Sequence, residues 1–126
     1  MAKKKKRMSM ETFAKGALRR ASLMWPEISE CRRLARRGPN SYECAACHEL
    51  FNSKEIAVDH RSPVVDIIEG YQGLTIFAER LFCSVENLDC LCKNCHLSKS
   101  QIEVQMRKYA RAKRKEEASE HDEDVE

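Results

Sequence analysis

The chain has 126 residues with 23 Lys and Arg against 20 Asp and Glu, a net charge of +3, and seven cysteines. That length allows one small domain with extensions, and a compact part of roughly 60 residues buries only about 60% of its surface, so a staple is expected. No run is long enough to span a bilayer, and Glu11, Lys15, Arg19 and Arg20 interrupt any apolar stretch that would make Met1 to Arg7 the start of a secretory signal.

In chain order, the apolar residues Met10, Phe13, Ala14, Ala17, Leu18, Ala21, Met24 and Trp25 recur at helical spacing behind Ser9, a suitable N-cap, and Pro26 ends that helix. A second helix is predicted over 27–37, with Ile28, Cys31, Leu34 and Ala35 on one side and Arg32, Arg33, Arg36 and Arg37 on the other; Gly38-Pro39-Asn40 stops it. Extended pieces follow at 41–44, 49–51 and 55–60, and Pro63 breaks the last. An amphipathic helix is expected over 74–82, then a long helix over 93–115. The acidic tail at 116–126 has the composition of a disordered segment.

Charge is distributed unevenly. Residues 1–38 hold 12 Lys and Arg against 3 Asp and Glu, residues 39–100 hold 5 against 9, and residues 101–126 hold 6 against 8. The basic first third suits a polyanion such as nucleic acid. Lys3, Lys4, Lys5, Lys6, Arg7, Arg32, Arg33, Arg36 and Arg37 are its candidate phosphate contacts.

Cys44-Ala-Ala-Cys47 and Cys92-Lys-Asn-Cys95 are two C-x2-C pairs. Four thiolates complete a tetrahedral zinc shell and leave no position for water, so the metal read here is structural Zn²⁺. Cys31, Cys83 and Cys90 fall outside the paired spacing and read as small buried hydrophobes. Each pair is followed by histidine, His48 and His96, which also matches the haem attachment pattern C-x-x-C-H. Covalent haem goes with export, and no export signal is read, so zinc is preferred. An odd cysteine count in a chain expected to be cytoplasmic likewise favours metal over disulfides.

Between and beyond the knuckles stand Asp59-His60-Arg61-Ser62-Pro63, Asn87-Leu88, and Leu91-Cys92-Lys93-Asn94-Cys95-His96-Leu97-Ser98-Lys99. This order, C-x2-C, D-H-x-x-P, N-L, then L-C-x2-C-H-x-x-K, resembles the HNH endonuclease family, particularly its short zinc-knuckle members encoded by bacteriophages. The resemblance covers about residues 42–99. It implies an α+β fold: a small ββα-metal core stapled by a four-cysteine zinc site, with N-terminal helices and a C-terminal helix. The chain then divides into a basic disordered arm at 1–8, a basic helical extension at 9–38, a nuclease domain at 39–115 and an acidic disordered tail at 116–126.

The resemblance implies a metal-dependent DNA endonuclease leaving 5′-phosphate and 3′-hydroxyl ends. His60 is then the general base, a role that histidine side chains commonly take near neutral pH. Asp59 and His96 are the ligands of a catalytic divalent metal (Mg²⁺, Mn²⁺, Ni²⁺ or Zn²⁺), and Asn87 fixes the loop that orients the base. Lys99, one turn past His96, is a candidate phosphate contact. DNA is the expected partner, with phage packaging or replication proteins beside it, and no membrane. The alternative is a non-catalytic zinc module that binds nucleic acid, which would have no reason to hold Asp59, His60, Asn87 and His96 in motif order. Two departures stand out: Arg61 occupies a position commonly apolar in the family, and the interval from His60 to Asn87 is long, so its helix is expected to cover the site or touch substrate.

Each phosphate neutralised on duplex DNA contributes about −0.9 to the slope of log K against log salt. Deleting residues 1–8 removes five of the candidate cations and should reduce that slope by at most about 4.5 in a folded, zinc-loaded protein. An unchanged slope would make the lysine run a solvated arm.

Overall fold

The structure is a computed structural model that describes the backbone of residues 6–123 and the side chains of residues 6–119. Lys3, Lys4 and Lys5 lie outside the described residues. The architecture is α+β, with four helices and two small antiparallel sheets.

The first helix, α1 (Met10–Ser22), starts as its cap dictates: the Ser9 Oγ accepts from the Thr12 N–H at 3.2 Å. It stops before Trp25. Pro26 does not merely end α1 but opens α2 (Pro26–Ala35), where the missing proline N–H costs nothing in the first turn. Between the two helices the Trp25 indole Nε1 donates to the Cys83 carbonyl at 2.8 Å, and its ring meets Phe82 edge-on. The apolar face read along α1 is buried only at its centre: Leu18 packs on Phe77, Leu81 and Val64, whereas Met10, Phe13 and Met24 are exposed. A 13-residue helix lying against the eight-residue α3 (Leu74–Leu81) leaves its first turn exposed, while Ser22 at its C-terminal end is buried.

Helix α2 ends at Ala35, two residues before the predicted limit. Arg36–Gly38 instead forms strand β1, whose Arg36 and Gly38 pair with Tyr42 and Ser41 of β2 (Ser41–Glu43) around a turn at Pro39-Asn40. Asn40 has φ 48, a left-handed conformation that asparagine tolerates well. The hairpin continues to β3 (Leu50–Phe51), giving the order β1-β2-β3.

The second sheet pairs β4 (Ile56–His60) with β5 (Leu88–Cys92) in unbroken register, from Ile56 opposite Cys92 to His60 opposite Leu88. Strand β5 has no counterpart among the predicted elements. Its five residues, Leu-Asp-Cys-Leu-Cys, carry two cysteines of which one reads as a metal ligand, and that reading hides an ordinary buried strand. Residues Ile56, Val58, Leu88 and Cys90 pack against Cys31, Ile28 and Ala35 of α2. Cys31 and Cys90 are buried with their sulfurs 3.7 Å apart, in keeping with their reading as small hydrophobes.

From Cys92 the chain passes directly into α4 (Lys93–Glu123), which packs against β4 and β5, so these elements form a strand–strand–helix unit. The helix continues beyond Lys115, and the acidic segment through Glu123 is helical rather than unstructured. Nothing from Tyr109 onward breaks the helix: residues 109–123 have no Gly or Pro, are rich in Ala, Arg, Lys and Glu, and set opposite charges four residues apart, as at Lys113 and Glu117. Among the described residues, no helix is long and apolar enough to cross a membrane.

Three small clusters make up the core: the α2–sheet cluster, a cluster of Cys44, Leu91 and Cys92 with Phe51, and a cluster of Val64, Phe77 and Leu81 with Leu18 and Phe82. Phe77 is 2% exposed at the centre of the third. Phe77→Ala should cost about 3–5 kcal/mol in denaturant unfolding, the usual range for a buried phenylalanine. A loss under about 1 kcal/mol would mean that α1 and α3 are not packed on one another around Phe77.

Candidate functional site

The four paired cysteines converge. Cys44 follows β2, Cys47 lies in the turn after it, Cys92 ends β5 and Cys95 sits in the first turn of α4, yet their sulfurs all lie within 4.8 Å of one another. Among the described residues they are the one group of three or more His, Cys, Asp or Glu side chains close enough to share an ion. Four sulfurs at about 2.3 Å from a tetrahedral zinc would be spaced about 3.8 Å apart, so the cluster fits the ion after a small contraction. The four cysteines can therefore hold a metal such as zinc.

Local backbone geometry builds the cluster. The His48 N–H returns to the Cys44 carbonyl at 2.9 Å, and His48 takes φ 62, which turns the first knuckle back into β3. The Ala45 N–H donates to the Cys90 carbonyl at 2.8 Å, tying that knuckle to β5. Backbone N–H groups also point at sulfur, from Cys92 to Cys44 and from Cys95 to Cys92, each at 3.4 Å. Burial pushes the Cys44 thiol up, but N–H groups of Cys47, Cys92 and Ala46 outweigh it and hold the pKa at about 6. Cys95 is pushed up to about 12 by its hydrogen bond with Cys92 and by burial. Cys47 is also raised: the Glu49 N–H favours its thiolate, but burial and the neighbouring thiols prevail. Without metal, negative charge collects on Cys44 while Cys47 and Cys95 keep their protons.

Asp59 and His60, at the end of β4, line one cavity of about 160 Å³ together with Arg19, Pro63, Val64, Val65, Glu103 and Arg107. The His60 Nε2 lies 2.9 Å from the Leu81 carbonyl. A carbonyl only accepts, so Nε2 carries the hydrogen and the neutral ring has Nδ1 free to take a proton. Both Asp59 oxygens are engaged: Oδ1 accepts from the His60 N–H at 2.9 Å, and Oδ2 accepts from the Lys99 ammonium at 2.7 Å. Lys99 also donates to the His60 carbonyl.

Asp59 lies directly across the ladder from Asp89, a placement that sets like charges side by side. Each has its own cation. Lys99 serves Asp59, and Arg61 grips Asp89 with bonds of 2.8 and 3.2 Å. This accounts for Arg61 at a position where an apolar residue is the expectation. Asn87 ties the loop after β4: its carbonyl accepts from the Arg61 N–H at 2.7 Å and its side-chain Oδ1 from the Ser62 N–H at 3.3 Å. It does not line the Asp59–His60 cavity.

His96 is half-buried in the first turn of α4. With Lys99, Glu103 and Arg107 at steps of three, four and four residues it shares one helix face, but it directly follows Cys95 of the cysteine cluster and does not line the cavity. The basic residues of α2 and β1 already have partners. Arg32 is half-buried and braces β4 through the carbonyls of Ile56 and Ser53, Arg33 pairs with Glu30, Arg36 holds Gly38, and Arg37 reaches Leu34 and Glu43. Lys6 and Arg7 are exposed ahead of α1.

Four participants escape the sequence reading. The Leu81 carbonyl is a free acceptor at the C-terminus of α3, and the amphipathic pattern of residues 74–82 locates that helix without revealing its target. Glu103 and Arg107 are legible as the continuation of the His96–Lys99 face at helical spacing. Arg19 lies within the basic third but has no feature setting it apart. The chain matches no protein-family model, no curated protein and no solved structure.

Zinc uptake by the reduced apoprotein should release at least two protons near pH 7, since Cys47 and Cys95 hold theirs, and zinc affinity should fall as pH is lowered because protons compete for the same sulfurs. Indicator-dye titration would measure both, and Cys92→Ser should abolish tight binding. Zinc binding without proton release would contradict this charge distribution.

Proposed function

We propose that the protein is a metal-dependent endonuclease of the HNH type that hydrolyses DNA phosphodiester bonds. The observation that carries the reading is the setting of His60. Its ring is fixed through Nε2 by a backbone carbonyl, which leaves Nδ1 as the proton acceptor, and His60 lines one cavity with Asp59, Arg19 and Arg107. A fixed base with one free nitrogen next to anion-binding groups is what hydrolysis of a phosphodiester requires. Further support comes from the strand–strand–helix unit that carries the motif residues and from the cysteine cluster at its corner.

In this reading His60 Nδ1 takes a proton from water as the water oxygen attacks phosphorus. The bond from phosphorus to the 3′-oxygen breaks, the 3′-oxygen leaves as a hydroxyl after protonation by solvent, and a 5′-phosphate remains. Arg19 and Arg107 hold phosphate oxygens at the cavity rim. Asn87 keeps the Arg61–Ser62 loop fixed, and with it the end of the strand that bears His60. Asp59 and His96 are the residues that would hold a divalent cation, and that cation supplies stabilisation of the negative charge that builds on phosphate oxygens. Asp59 suits the task, since its Oδ2 already receives a cation, the Lys99 ammonium. A zinc module that only binds nucleic acid would need none of the His60 geometry.

Plasmid cleavage with Mg²⁺, Mn²⁺, Ni²⁺ and Zn²⁺ is the test. Wild-type protein should cut with at least one of them, and His60→Ala should slow cleavage by about 10²–10⁴-fold with DNA affinity little changed. His96→Ala should lose cleavage and keep the cysteine-bound zinc. An active His60→Ala protein, or a wild type inert with every metal, would overturn the reading.

A further inference from the structure

Lys99 has a different environment from a lysine on a solvated helix face. Its side chain is 27% exposed, and its Nζ is held by the Asp59 carboxylate at 2.7 Å and the His60 carbonyl, with the Glu103 carboxylate at 3.7 Å. Two carboxylates and a carbonyl are hard oxygen donors of the kind that bind divalent cations. Here the chain supplies the cation itself.

We propose that Lys99 is a built-in counter-cation of Asp59 that a divalent metal must displace in order to bind, and that Glu103 receives the displaced ammonium. The inference rests on the reading of Asp59 as a metal ligand and adds the means by which the chain sets its own metal affinity. The two oxygens of Asp59 decide the matter. Oδ1 is taken by the N–H of the next residue, a bond within the strand backbone, so Oδ2 is the oxygen open to exchange, and Lys99 holds it. An ammonium and a divalent ion repel each other and cannot share that oxygen. Glu103, four residues along α4, already lies 3.7 Å from the ammonium, so a side-chain rotation is enough for the transfer. Asp89 is no alternative destination, because Arg61 occupies it.

Exchange of this kind lowers apparent metal affinity by the fraction of molecules in which Asp59 is free, so removing the competitor must raise affinity. A lysine that merely positions Asp59 gives the opposite sign, since its loss would loosen the ligand. The measurement is Mn²⁺ binding to zinc-loaded protein, followed by the free-ion electron paramagnetic resonance signal; manganese prefers oxygen and imidazole and leaves the thiolates to zinc. Lys99→Met should bind Mn²⁺ about five- to tenfold more tightly than wild type, the scale of one partly buried charged contact. Lys99→Gln, which keeps a donor for the His60 carbonyl, should do the same should the methionine variant fold poorly, and Lys99→Arg should stay near the wild-type value. Glu103→Gln should weaken binding in the wild-type background and leave Lys99→Met unchanged, because Glu103 acts through Lys99. Equal or weaker Mn²⁺ binding by both neutral variants, with wild type binding measurably, would overturn the exchange and leave the endonuclease reading intact. No Mn²⁺ site in wild type or in either neutral variant would overturn both.

Discussion

The convergence of Cys44, Cys47, Cys92 and Cys95 is the constraint on which the rest of the structure depends. Sheet β1-β2-β3 and sheet β4-β5 share no ladder, and each is too small to stand alone. The knuckles join them beside the packing of Tyr42 and Phe51 on the second sheet, with two sulfurs from the β2–β3 connection and two from the junction of β5 and α4. No core cluster is large enough to replace that junction, because the buried apolar residues fall into three separate groups. A structural metal in such a setting contributes folding free energy of about 10–16 kcal/mol, more than the whole net stability of many small domains.

The same junction fixes the direction of α4. Cys95 is followed at once by His96, and the helix then presents Lys99, Glu103 and Arg107 along the face that meets the end of β4. The electrostatics of the cavity follow from that alignment. Strand pairing forces Asp59 opposite Asp89, and the repulsion is offset by Lys99 from the helix on one side and Arg61 from the strand end on the other. His60 is aligned independently, by the Leu81 carbonyl at the end of α3. Three elements far apart in sequence thus meet at the end of one strand. That is why the long interval between His60 and Asn87 is needed: it carries the helix that orients the ring.

What can be read from the sequence follows the physics of each signal. C-x2-C spacing carries its own geometry, so the cysteine cluster is legible before any fold is known. Periodicity locates α1, α3 and the start of α4, and the Ser9 cap sets the first boundary to the residue. Boundaries fail where tertiary pairing overrides local preference: Arg36–Gly38 leaves the helix to pair with β2, and Leu88–Cys92 forms the central ladder with β4 although its composition is dominated by cysteine and leucine. The arginines of α2 illustrate the limit of charge counting. In sequence they look like a phosphate-binding face, yet Arg32 spends its guanidinium on the carbonyls of Ile56 and Ser53 and Arg33 on Glu30, while the cavity is lined by Arg19, stacked over the Phe77 ring, and Arg107, which also donates to the Val65 carbonyl. Position in three dimensions decides which charges are available, and a linear count cannot supply it.

The central claim is that the four-cysteine junction holds α4 against β4 and thereby assembles the cavity around Asp59 and His60. Amide hydrogen exchange on zinc-loaded protein, before and after chelation, addresses it directly. The N–H groups of Arg61 and Ser62, bonded to Asn87 far from the sulfurs in sequence, should lose protection together with those of Cys44 and Cys92 when zinc is removed. Loss of protection at the cysteines with Arg61 and Ser62 unchanged would show that the cavity is assembled without the metal junction, and would contradict the account.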